Sequence, residues 1–238
     1  MSPSPSALDR QREEASALCR VIAMIHQRGW CDGTGGNFST VISDAPLELL
    51  MAPSGVEKGA LSPDDLIVVD GGGRVLRGDG KASAETLLHL AIIGSTNARA
   101  VLHTHSQAAT LLSRLPLLGG ETFGGGGQGS WAEAELIGHL QLGGLEMLKG
   151  LEGIRTHAHT IAIPILGNCQ DMRRLEQATR PHLATAPYGV LIAGHGLYAW
   201  GDSLHQAKRH LEILEFLLEQ HWRQVLLEAV LAKGGRNA

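Results

Sequence analysis

Apolar residues recur at helical spacing early in the chain. In "LDRQREEASALCRVIAMIHQRG", Leu18, Val21, Ile22 and Ile25 fall on one face, and Gly29 marks a C-terminal stop. The Pro/Ser-rich first ten residues, "MSPSPSALDR", are expected to be disordered. Beyond the helix the period shortens. "GTGGNFSTVI" is a glycine turn running into a strand, and "LELLMAPSG" is an apolar strand broken by Pro53 and Gly55. "DDLIVVDGGGRVLRG" has the pattern of a hairpin. A second helix is expected in "KASAETLLHLAIIGST", with Ser83 as N-cap and Glu85 in its first turn.

The strand "RAVLHTHS" and a helical "QAATLLSRL" follow, then a glycine-rich stretch over 116–135 that reads as a flexible loop. "LEMLKGLEG" is ambiguous. "HTIAIPIL" and "YGVLIAG" read as strands around a helix from Met172 to Ala184, and a long amphipathic helix closes the chain from Ser203. Helices and strands alternate irregularly and hairpins intervene, so the pattern predicts a layered α/β domain, not a strict βαβ series.

Composition narrows the function classes. A net charge of −4 gives no electrostatic footprint for nucleic acid. No stretch reaches the roughly 18–20 apolar residues of a membrane span, and the first residues lack the pattern of a secretory signal. Cys19, Cys31 and Cys169 lack metal-ligand spacing and read as reduced thiols of a cytoplasmic protein. The chain is also rich in histidine and glycine, with 12 and 31 respectively.

His103 and His105 stand two apart at a strand end, where side chains at i and i+2 share a face. Two imidazoles there suit Zn²⁺ or a similar ion, although a hydrogen-bonded pair would have the same spacing. His195, between two glycines after an apolar strand, is a candidate third ligand. His157 and His159 repeat the spacing but precede their strand, which favours a surface role or a place behind the metal ligands. A catalytic metal site also needs a carboxylate, for which Glu146 and Glu85 are the candidates.

The ordered motifs "GTGGNFS", "APSGVEKG", "SAETLLH", "AVLHTHS", "EMLKG", "IAIPIL" and "GHGLYAWG" resemble the class II aldolase/adducin-like superfamily. Within it they are most similar to the branch that dehydrates 5-methylthioribulose 1-phosphate in methionine salvage. The resemblance covers nearly the whole chain. It implies one domain over 1–238, a three-layer α/β/α sandwich with a mixed, mostly antiparallel central sheet, and a homotetramer. It further implies a divalent ion, zinc or another metal, on His103, His105 and His195. Glu146 matches the acid/base of that branch, and Glu85 matches a glutamate that aldolase relatives place beside the metal. Gly36, Asn37, Ser54, Gly55 and Ser83 match the loops that hold the phosphate of a small sugar-phosphate substrate, as backbone N–H groups in such turns can. A Walker-type site is excluded, because "GGGGQGS" lacks the Lys–Ser/Thr ending. Two rivals remain: a metal-dependent sugar-phosphate aldolase, and an adducin-like interaction module, which would lack the metal histidines.

Overall fold

A computed structural model describes residues 7–118 and 133–234. The expected loop at 116–135 therefore falls largely outside the described residues, as do residues 1–6. Residues 7–10 depart from the expected disorder. Ala7, past the last of the leading Pro/Ser residues, opens helix α1, Ala7–Gln27, because nothing from there to Gly29 breaks a helix.

Next come strands β1, Asn37–Asp44, and β2, Leu47–Met51, and the hairpin of β3, Ile67–Asp70, with β4, Val75–Arg77. Helix α2, Thr86–Ser95, leads to β5, Ala100–Thr104, and to the short α3, Gln107–Leu112. Then follow β6, Leu136–Gly143; β7, Thr160–Leu166; α4, Met172–Leu183; β8, Gly189–Ile192; β9, Gly196–Gly201; and α5, Leu204–Gly234. The strands form one sheet in the order β4-β3-β2-β1-β5-β9-β8-β7-β6. Among the described residues, only β7 and β8 pair in parallel.

Alternation along each strand divides the core into layers. Ala100 and Leu102 of β5 pack with Leu18, Ile22 and Ile25 of α1, Leu112 of α3 and Leu214 of α5. Val101 points the other way, into a cluster with Leu88 and Ile92 of α2 and Leu175 of α4. Helices on both faces of a mixed, mostly antiparallel sheet give the expected α/β/α sandwich.

Register determines which residues meet at the ends of the sheet. Asn37 opens β1 opposite His103 near the end of β5, and Thr104 lies opposite Leu197 at the start of β9. Ile192, at the end of β8, pairs with Gly196 and also with Leu166, at the end of β7. These termini share one end of the sheet. Strand β6 runs back along β7, so Gly143, paired with Thr160, lies at the other end.

Candidate metal centre

Four residues from three segments converge at the first of these ends. His103 is the penultimate residue of β5, and His105 lies one residue past its end, its N–H donating to the Trp30 carbonyl at 2.7 Å. His195 sits in the tight connection between β8 and β9, its N–H donating to Ile192 O at 3.0 Å. Glu85, not the expected Ser83, is the N-cap residue just before α2, and its side chain makes no capping bond. The carboxylate turns instead toward the histidines. Gly196 is what lets β9 approach this closely, since a Cβ there would lie 1.9 Å from the Thr104 carbonyl oxygen. Gly36, at φ +80°, makes a comparable approach: a Cβ would stand 2.9 Å from His103 O.

The ring nitrogens aim at one point. His103 Nε2 lies 2.8 Å from His105 Nε2 and 3.3 Å from His195 Nε2. Glu85 Oε1 lies 2.8 Å from His195 Nε2 and 3.7 Å from His103 Nε2. One ligand atom from each of the four residues falls within 4.8 Å of the others.

The tautomer of His103 follows from its other nitrogen. Nδ1 is 2.9 Å from the Leu197 carbonyl, which can only accept, so Nδ1 carries the proton and Nε2 of the neutral ring presents a lone pair. Burial holds the fully enclosed His103 imidazole well below its ordinary pKa, and burial also lowers His105. Both are therefore kept neutral at physiological pH, the form that binds metal. For Glu85, burial favours the neutral acid. The hydrogen bond from His195, and the positive charge the neighbouring imidazoles take up once acid protonates them, outweigh it and hold the carboxyl at about 2. Three nitrogen donors and one carboxylate oxygen, drawn together in a partly buried site, fit a divalent cation.

Behind this cluster the Tyr198 ring stacks on His103, centroids 3.8 Å apart and planes 11° apart. His89 is fully buried beside Tyr198, with Nδ1 2.8 Å from Ser39 Oγ. Burial lowers its pKa to about 4.

The residues expected to hold phosphate divide into two groups. Asn37 Nδ2 donates to Glu85 Oε2, and Ser83 Oγ lies 3.4 Å from the same oxygen. These side chains fix the carboxylate and leave Oε1 for the histidines. Ser54 and Gly55 form an exposed turn, with Gly55 at φ +75° and Ser54 N–H donating to Lys81 O at 2.8 Å. Lys58, fully buried and unforeseen from the sequence, ties the two glycine turns together. Its ammonium donates to Thr34 O at 3.2 Å, Pro53 O at 3.4 Å and Val56 O at 2.8 Å.

Glu146 is elsewhere. It opens a 3-10 turn, Glu146–Gly150, just past β6, at the sheet end opposite the histidines. Strand β6 stands four positions from β5, ~19 Å at ~4.8 Å per strand. Its carboxylate is exposed, pairs with Lys149 and lies 3.8 Å from His157 Nδ1. Within one chain, Glu146 does not join the cluster. Its sequence signal was a motif match, which carries no information about the end of the sheet on which a residue lands. His157 and His159 are exposed, in line with the surface role expected of them.

Known proteins share this architecture. A methylthioribulose-1-phosphate dehydratase from Sorangium cellulosum is 39% identical over 210 residues, covering 86% of this chain and 89% of that protein. One from Methylococcus capsulatus is 40% identical over 212 residues, covering 88% and 93%. The crystal structure of YgbL from Escherichia coli superposes with a TM-score of 0.69 at 26% identity, covering 89% of each chain. Residues 16–222 match the family described as the class II aldolase and adducin N-terminal domain. The chain belongs to that family.

Proposed function

We propose that residues 1–238 form one catalytic domain that dehydrates 5-methylthioribulose 1-phosphate to 2,3-diketo-5-methylthiopentyl 1-phosphate in the methionine salvage pathway of the cytoplasm. The observation that carries this reading is the convergence of His103, His105, His195 and Glu85, in a chain similar over most of its length to proteins named for that reaction. The histidine set argues against a non-catalytic interaction module.

In this reading His103, His105 and His195 hold zinc, which when bound supplies a Lewis acid for the substrate ketone. Gly36, Asn37, Ser54, Gly55 and Ser83 form the phosphate seat, and Asn37 and Ser83 also hold Glu85 in place. An acid/base group takes the proton from C3 and returns a proton to the departing C4 hydroxyl. The enol left behind tautomerises to the diketone. We assign this group to Glu146, which must then come from a neighbouring copy, because its own chain holds it at the far end of the sheet. A homotetramer supplies such a neighbour. Exposed Met147 beside Glu146, and exposed Leu226, Leu227, Val230 and Leu231 on the last turns of α5, support an interface of this kind.

A retro-aldol cleavage is the second reading, favoured by the place of Glu85 within the cluster. Identifying the product of 5-methylthioribulose 1-phosphate separates the two. Dehydration gives one diketone phosphate and water, whereas two carbon fragments would establish the aldolase. The absence of any turnover would remove both.

A further inference from the structure

Helix α5 carries a carboxylate into the core. Glu215 is 2% exposed, on a helix that packs against β5, β9 and α3. Thr104 Oγ1 donates to Glu215 Oε1 at 2.5 Å, and the Ser106 hydroxyl is a second partner. Thr104 stands between His103 and His105, and strand alternation sends its side chain to the α5 face, away from His103. Ser106 caps α3 by accepting from the Ala109 N–H at 3.1 Å. One buried carboxylate thus grips the residue on each side of His105.

Stability alone gives little reason for this arrangement. A buried carboxylate carries a desolvation cost that an apolar side chain of similar volume would avoid. The two hydroxyls offset part of that cost, and in exchange they are held in one orientation. Backbone contacts to Leu197 and Trp30 hold this strand end, but a small rotation about Thr104 would still separate the two Nε2 atoms.

We propose that Glu215 is a positioning residue for the metal centre: by holding Thr104 and Ser106 it fixes the end of β5 so that His103 and His105 point at one site. This rests on the metal reading above. Groups hydrogen-bonded directly to metal ligands typically change metal affinity by about 10–100-fold when removed, and Glu215, one step further out, is expected near the lower end of that range.

The test is titration of Zn²⁺ alone into the metal-free full chain, against a competing chelator dye, with Tm recorded separately in chelator. Thr104→Val and Glu215→Leu are each expected to weaken zinc binding about tenfold or more. The double variant should bind no worse than the weaker single, since both remove the same link. Glu215→Gln retains an amide oxygen for the Thr104 hydroxyl and should recover most of the affinity. A residue with only a structural role would lower Tm and leave the zinc affinity of the folded protein unchanged. Wild-type affinity in folded Thr104→Val and Glu215→Leu, or losses that multiply in the double variant, would overturn the proposal. If Glu215→Leu does not fold, Thr104→Val, which replaces a hydroxyl by a methyl, decides alone. A wild-type chain that binds no zinc would instead overturn the metal reading.

Discussion

The two ends of the sheet differ in how much of their chemistry one chain completes. At the histidine end, His103 is buried and has its tautomer set by a backbone carbonyl, and Glu85 is held by Asn37 and Ser83. At the Glu146 corner the carboxylate is exposed and its partners are Lys149 and His157 on the surface. The first is a preorganised donor set, because low dielectric and fixed hydrogen bonds leave its groups little freedom. The second has that freedom, and gains a fixed environment only where another surface covers it. Under the proposed function, this contrast is a division of labour, with metal binding complete within a chain and acid/base chemistry dependent on assembly.

Glu146→Gln tests that division with the largest effect. Turnover is expected to fall by about 10²–10⁴, with metal content and fold retained. Mixing this variant with inactive His195→Ala chains should restore part of the activity, because hybrid assemblies unite an intact cluster with an intact Glu146. A fully active Glu146→Gln would remove the residue from the mechanism. An inactive one that no hybrid rescues would return the chemistry to a single chain.

Acid sensitivity should belong to the histidine end. Folding lowers the His89 pKa from 6.5 to about 4. As pH falls the unfolded chain therefore takes up this proton first, and stability is lost between about pH 6.5 and pH 4, by ~3 kcal/mol for His89 alone. Urea unfolding of the metal-free protein across that range should show the loss, and His89→Leu should reduce the slope. An unchanged slope would place the sensitivity elsewhere. The smallest effect is expected at the corner, where Lys149→Met removes an exposed ion pair. Such pairs contribute little, so the thermal midpoint should stay where it is; a clear drop would mean that the corner is more ordered than its exposure indicates.

Much of this was legible in the sequence. Helices α1 and α5 follow from apolar residues at helical spacing, α2 from cap-type and acidic residues at its start, α4 from its place between two apolar strands, and His103 and His105 from their i, i+2 spacing at the end of an apolar run. Strand β6 was not anticipated: in "LIGHLQLG" only Leu140 and Leu142 are buried, and a glycine and polar residues blur the alternation. Strand β9 was hidden because the glycines around His195 read as a turn, although Gly196 begins a fully buried strand. Ser83 looked like the N-cap of α2 because cap preference is local, while the three-histidine cluster that draws Glu85 to the helix start is assembled from distant segments. Glu215 and Lys58 gave no signal, since a lone charged residue usually marks a solvated face. Their burial is a property of the fold.

The most direct measurement is metal content paired with turnover of 5-methylthioribulose 1-phosphate, before chelation, after it, and after zinc is restored. One divalent ion per chain is expected, with activity lost with the ion and regained on its return, and neither property in His195→Ala. Undiminished turnover by metal-free protein, or full metal content in His195→Ala, would contradict this expectation.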